Sequence, residues 1–313
     1  MRLPDLISDY LAYRRALGHR LTGEAFLLRA FCNSVGHNCL STLTADQVRA
    51  YLHQGAVSPQ TVAKRYRALK GFYRYIAGRH NIHLPPLPPV AKSGTSVFVP
   101  YIYSHEELKR LLGAAPVACQ NPAALFDEDT LRTVLMLLYG AGLRLGEAIR
   151  LDIGDVDFNQ AVLTVRQTKF YKMRLAPLGR DLARVLTDYR QRCDRRDARD
   201  ADCPFFRMRN GKRIDHSTTD RTFRLLRTIA RVSRKGGPRH QPRLHDLRHT
   251  AAVHRLIAWY RRGADLQYLL PRLATYLGHK DLSGTQHYLT LTPPLLHEAS
   301  KRFERYAGGR RHD

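Results

Sequence analysis

The chain has 313 residues, 43% of them hydrophobic and 25% charged, which suits about two globular domains of roughly 100–200 residues each. No apolar run approaches the roughly 18 residues needed to span a bilayer, so a transmembrane class is excluded from expectation. The 52 Lys and Arg outnumber the 27 Asp and Glu for a formal charge of +25, and the usual reason to carry that self-repulsion is a polyanionic partner, nucleic acid first.

The first stretch, MRLPDLISDYLAYRR, is amphipathic and interrupted by acids, unlike a secretion signal. The segments SDYLAYRRAL and GEAFLLRAFCNSV carry helical apolar spacing. TADQ at 44–47 reads as a capping box opening a third helix, and SPQT at 58–61 places Ser58 at an N-cap with Pro59 in the first turn of a fourth. On that fourth helix Val62, Tyr66, Leu69, Tyr73 and Ile76 share one face, with Lys64, Arg67, Lys70 and Arg74 gathered opposite. A helix with one apolar and one basic stripe suits a DNA-contacting surface.

HLPPLPPVAKSGTSVFVP punctuates the chain, because its prolines forbid helix and favour extended geometry. It sets expected boundaries: a helical domain over 1–84, a linker over 85–100, and a second domain over 101–313. In that second domain SHEE at 104–107 caps a helix and TLRTVLMLLYGAGL forms a buried one. Residues 156–178 are the best strand region, turning at Asn159-Gln160. Helices are expected from Asp181 to the end, with a terminal one over 293–307. The fold class is mainly α with a small antiparallel β-sheet. The five cysteines form no CxxC pair and are odd in number, which argues for a reducing compartment; a cytoplasmic, nucleoid-associated protein is expected.

HDLRH at 245–249 resembles at first a zinc-protease helix. That chemistry wants a Glu beside the first histidine; here the acid is Asp246, and the Arg248 guanidinium would repel a dication. His245 and Arg248 share a helix face one turn apart and together suit a phosphate. GLRLGE at 142–147 puts Arg144 at a helix start, with Glu147 one turn on to hold a guanidinium in place. RQTKFYKMRLAPLG puts Lys169 near the tip between two strands, with Lys172 and Arg174 beyond. LGH at 277–279 is followed after nine residues by Tyr288.

In this order the motifs G-L-R-x-x-E, T-K with a K-x-R-x-x-P-L tail, H-x-L-R-H, and L-G-H nine residues before Tyr resemble the tyrosine recombinase family, the phage-integrase and Xer-type site-specific recombinases. The resemblance covers the whole second domain and, more weakly, the first, which resembles the family's helical core-binding domain. It implies an α+β catalytic domain whose Tyr288 hydroxyl attacks a DNA phosphate, forming a 3′-phosphotyrosine link later resolved by a 5′-hydroxyl. Arg144 and Arg248 would neutralise the transition state, His245 would take or conduct a proton, Lys169 would protonate the departing oxygen, and His279 would hydrogen-bond the phosphate. Glu147 would support Arg144. No cofactor and no metal are implied. The implied partner is duplex DNA with inverted-repeat-like core sites, bound by a homo-tetramer that is monomeric or weakly associated when free, with partner recombinases possible.

One departure stands out. About one extra helical turn, including Pro271, precedes LGH and would shift the helix leading to His279. Three other readings stay open at this point: a DNA-binding accessory protein of the same fold without catalysis, a type IB topoisomerase, and a zinc hydrolase. The biological role, integration or excision of a mobile element or dimer resolution, is left open by the residues, as is the DNA target.

Overall fold

Helix starts in the first part of the chain are set by side chains that satisfy the free N–H groups of the first turn. Gln47 N donates to Thr44 Oγ1 at 3.2 Å and Thr44 N donates back to Gln47 Oε1 at 3.0 Å, the reciprocal box that TADQ predicts. Ser58 caps the next helix, with Pro59 in its first turn. The structure is a computed structural model that describes residues 2–19, 21–36, 42–80, 82, 84–89, 99–122, 124–166, 173–196 and 200–279, and positions 297, 300 and 304.

The chain divides into two compact units, one of residues 1–97 and one of residues 98–168 and 172–313. The first holds α1 (Leu3–Ala16), α2 (Thr22–Val35), α3 (Ala45–His53) and α4 (Pro59–Arg79). Leu6, Leu28, Phe31, Leu69 and Phe72 form its core. The two stripes of α4 separate as the spacing predicts: Val62, Leu69 and Ile76 are buried, and Lys64, Arg67, Lys70 and Arg74 are exposed. Arg65, between them, turns inward and donates to the carbonyls of Tyr51, Leu52 and Gln54. It closes the end of α3. The proline-rich stretch starts packed, with Leu84 and Leu87 against this core.

The second unit runs α5 (His105–Gly113), α6 (Ala115–Gln120), α7 (Glu128–Gly140), α8 (Leu145–Ala148), β1 (Val156–Asp157), β2 (Val162–Val165), β3 (Arg174–Pro177), α9 (Arg180–Arg196), α10 (His216–Ile229), α11 (Leu244–Arg261) and α12 (Leu266–Leu277). Ser104 and Glu107 form the expected capping box on α5. Apolar α7 buries Leu131, Val134, Leu135, Leu137 and Leu138 and packs against both α9 and α11. The sheet is antiparallel in the order β1-β2-β3. The Asp157 carboxylate accepts from the N–H of Asn159 at 2.9 Å and of Gln160 at 2.8 Å, fixing the turn the sequence marks. Strand alternation turns Leu163, Val165 and Ala176 into the core. Val165 lies opposite Arg174, so Arg174 shares the inward face with Ala176.

Helix does not run continuously from Asp181. Residues 200–215 form an irregular segment tied down by short bridges, Asp152 to Pro204 and Arg207 to Arg213. Pro204 cannot donate to a helix, and the adjacent Phe205 and Phe206 are both buried, with ring centroids 5.6 and 5.4 Å from Tyr189. Two neighbouring side chains buried together do not fit one face of a surface helix. Of the expected terminal helix, positions 297, 300 and 304 are helical and the rest of 293–307 lies outside the described residues.

Leu69 and Lys70 test the two faces of α4 directly. Leu69→Ala is expected to cost about 2–5 kcal/mol in denaturant unfolding, whereas Lys70→Ala stays within about 0.5 kcal/mol of wild type. Equal effects would contradict the described orientation of α4.

Candidate active site

Gly142 takes a positive φ of 61° after α7, and the chain turns so that Arg144 caps α8. Glu147 sits one turn later, 4% exposed. Its Oε1 accepts from Arg144 NH1 at 2.7 Å and its Oε2 from Arg144 N at 3.0 Å. The residue expected to hold Arg144 does so, and it holds more. Arg174 NH1 and NH2 reach the same carboxylate at 3.2 and 3.0 Å, and Arg248 NH1 stands 4.0 Å from Oε2.

Arg248 comes from α11, whose start is fixed by Asp246. Asp246 Oδ2 accepts from Arg243 N at 2.9 Å and Oδ1 from Arg243 NH2 at 3.2 Å, with the carboxylate buried. The acid of HDLRH is therefore a helix cap. Arg248 is one of the largest fully buried side chains. Its NH1 donates to Gly142 O at 2.6 Å and its NH2 to Leu277 O at 2.5 Å. Such burial is tolerable only because these acceptors and Glu147 replace water.

The third element is the end of α12. Pro271 lies inside this helix, which continues to Leu277 without a break. Gly278, at φ +69°, closes it in a Schellman turn: His279 N donates to Ala274 O at 2.9 Å and Gly278 N to Thr275 O at 3.0 Å. The next three carbonyls each meet a different guanidinium. Tyr276 O accepts from Arg174 Nε at 3.3 Å, Leu277 O from Arg248 NH2 at 2.5 Å and Gly278 O from Arg144 NH2 at 3.1 Å. Cations at a helix C-terminus also complement its dipole.

Arg144, Glu147, Arg248 and the turn into His279 thus converge in one unit. His245 is exposed one turn before Arg248 and packs its ring edge-to-face on His249, with centroids 4.7 Å apart. Lys169 and Tyr288 lie outside the described residues. Lys64, Arg67, Lys70 and Arg74 belong to the other unit, on α4. Two participants escaped sequence reading. Arg174 stood in the K-x-R-x-x-P-L tail without an assigned role, although its phase with Ala176 on β3 was a usable signal. His249 stood as the second histidine of H-x-L-R-H without an assigned role, although its i, i+4 relation to His245 places both on one face.

The charges follow from this packing. Burial alone would raise the Glu147 pKa, but the hydrogen bonds and charge of Arg174, then Arg144, hold it at about 2. Although His245 reaches solvent, desolvation by the atoms packed around its ring comes first in lowering its pKa, followed by the Arg248 charge, against a smaller opposing pull from Asp246. Burial and then the neighbouring His245 hold His249 at about 3. Neutral imidazoles beside fixed guanidiniums form a site able to bind an anion and accept a proton.

Residues 103–293 match the Phage integrase family. The chain is 36% identical over 312 residues to a putative integrase/recombinase, y4rB, of Sinorhizobium fredii (strain NBRC 101917 / NGR234), covering 96% of each chain. It is 28% identical over 301 residues to the tyrosine recombinase XerA of Thermococcus kodakarensis (strain ATCC BAA-918 / JCM 12380 / KOD1), covering 95% of each. It is similar in fold to lambda integrase, seen as a tetramer bound to a Holliday junction, with a TM-score of 0.64 at 17% identity over 92% of this chain and 77% of that one.

Two pH windows separate the buried groups. His249 is held below its ordinary 6.5, so its share of stability is complete above that value and is lost as pH falls toward about 3. Glu147, held at about 2, contributes fully above its ordinary 4.5 and loses its share only as pH falls through that lower range. Melting temperature should therefore fall on acidification from pH 6.5, with His249→Gln flattening the upper window and Glu147→Gln changing the slope only below pH 4.5. An unchanged slope in both variants would contradict these environments.

Proposed function

The chain belongs to the phage integrase family, and from that premise we propose that it is a site-specific DNA recombinase that cuts and rejoins strands through a 3′-phosphotyrosine intermediate. The observation that carries the reading is the attachment of Arg144 and Arg248 to one buried carboxylate and one helix end. Held this way, the partly exposed Arg144 offers donors to a phosphodiester's non-bridging oxygens, and the buried Arg248 adds a fixed positive charge behind it.

Each side chain answers a physical demand of the reaction. In-line attack gathers negative charge on the non-bridging oxygens, and Arg144 and Arg248 neutralise it without reorganising. A phenol has an ordinary pKa near 10, so Tyr288 must lose its proton as it attacks. His245, with its pKa lowered, is neutral at pH 7 and able to take that proton. Lys169 protonates the departing 5′-oxygen, and His279 hydrogen-bonds the phosphate. The P–O bond to the 5′-oxygen is exchanged for a P–O bond of similar energy to Tyr288, so a 5′-hydroxyl restores the diester by the reverse attack, releasing the phenol. No cofactor is called for, and two guanidiniums supply the charge that a metal ion supplies in other phosphoryl-transfer enzymes.

The exposed row Lys64, Arg67, Lys70 and Arg74 contacts DNA backbone from the first unit. The partner is duplex DNA carrying inverted-repeat-like core sites. Two occupied sites are joined in a homo-tetramer, a reading supported by the tetrameric assembly of lambda integrase. Integration or excision of a mobile element fits the integrase/recombinase relative, and dimer resolution fits the Xer-type one. Such reactions place the protein in the cytoplasm, with the nucleoid.

Incubation with a nicked suicide duplex built from the DNA flanking the gene tests the chemistry. Tyr288→Phe should form no covalent adduct, Arg144→Ala and Arg248→Ala should each slow it about 10²–10³-fold, and EDTA should leave the rate unchanged. Adduct formation by the Tyr288→Phe protein would refute the nucleophile assignment. For the basic row, log K should fall with log salt by about 0.9 per phosphate neutralised. Alanine at Lys64 or Lys70 should reduce that slope by about one; an unaltered slope would remove α4 from the DNA surface.

A further inference from the structure

Arg174 has no role in the reaction described above, yet it is among the most constrained cations in the second unit. It sits on the inward face of β3 with its side chain 13% exposed. A guanidinium there loses much of its hydration and must regain it from fixed acceptors. Arg174 does so on two separate elements. NH1 and NH2 form a fork on Glu147 at 3.2 and 3.0 Å, while Nε donates to Tyr276 O at 3.3 Å. Tyr276 returns the link, donating its hydroxyl to Pro177 O at the other end of β3 at 3.2 Å.

The same guanidinium lies across Gly278. A Cβ at that position would stand 3.0 Å from Cζ, Nε and NH1 of Arg174. Glycine is thus favoured at 278 twice, once by the positive φ and once by this close approach, which would admit a Cβ only if Arg174 shifted. The turn that leads into His279 is pressed between its own helix and a planar cation.

We propose that Arg174 is a positioning residue, whose guanidinium spans Glu147, the Tyr276 carbonyl and the bare face of Gly278 and thereby sets the turn presenting His279 beside Arg144. Arg144 and Arg174 draw on the same Glu147 oxygens, and each also holds one carbonyl of the 276–278 run. A displaced Arg174 therefore shifts both the His279 turn and the carboxylate that orients Arg144. Lysine is no substitute, because one ammonium nitrogen does not reproduce the planar fork and the separate Nε donor. The consequence for catalysis rests on the recombinase reading; the consequence for the turn does not.

The test uses the full chain as wild type, Arg174→Ala and Arg174→Lys, with two readouts. The first is amide hydrogen exchange at Gly278 and His279, whose N–H groups close the Schellman turn. Both variants should exchange there on the order of ten-fold faster, with the α7 amides unchanged. The second is the single-turnover adduct rate at saturating suicide duplex. Both variants should fall at least about ten-fold while the DNA Kd stays within about two-fold, and added methylguanidinium should restore part of the rate to Arg174→Ala.

Wild-type exchange at Gly278 and His279 in both variants overturns the proposal. So does acceleration that spreads equally through α7, or a rate loss matched by an equal loss of binding. If Arg174→Ala does not fold, Arg174→Lys, which keeps a cation beside Glu147, decides by the same criteria. A wild-type chain that forms no adduct refutes the recombinase reading instead, and the exchange measurement still judges Arg174.

Discussion

One buried carboxylate organises the second unit. Glu147 lies within reach of three guanidiniums, brought by the start of α8, by β3 and by α11. Like charges gathered this closely repel one another, and only a desolvated counter-charge with both oxygens engaged makes the cluster stable. The pKa of about 2 at Glu147 is the signature of that balance. The arginines win over the burial that would otherwise neutralise it.

The second anchor is the carbonyl end of α12. A helix leaves its last carbonyls unsatisfied, and the Schellman turn at Gly278 answers only some of them. The carbonyls of Tyr276, Leu277 and Gly278 are answered by Arg174, Arg248 and Arg144. A helix end and a carboxylate thus divide the same three cations between them. The chain leaving α12 at His279 is positioned by the residues proposed to grip phosphate, together with Arg174. The reference point for this turn is the end of α12, downstream of Pro271.

The histidines follow from the same charge distribution. Desolvation by the surroundings is the larger cost of protonating His245 or His249, and the neighbouring positive groups add to it. The imidazoles are kept neutral by burial and by the positive groups around them. In the reaction proposed above, a cationic pocket that holds neutral imidazoles would suit taking a proton from a phenol as the phosphate is attacked.

Much of this was legible in the residues alone. Caps at Thr44, Ser58 and Ser104, the stripe of α4, the Asn159-Gln160 turn and the Arg144–Glu147 pairing depend on interactions within a few residues, and local spacing encodes them. The ordered motifs identified the family for the same reason, since each is a short segment with its own chemistry. Tertiary structure alone decided that the Asp246 carboxylate is engaged by Arg243 at the start of α11, that Arg65 closes α3 while its neighbours face outward, and that residues 200–215 leave the helical pattern. It alone decided that Arg174 joins the cluster, because Glu147 and Tyr276 are 27 and 102 residues away from it in the chain. An arginine's type and position say that it needs acceptors. Which acceptors it finds is settled only when distant backbone ends and carboxylates are folded to within 3 Å or so of it.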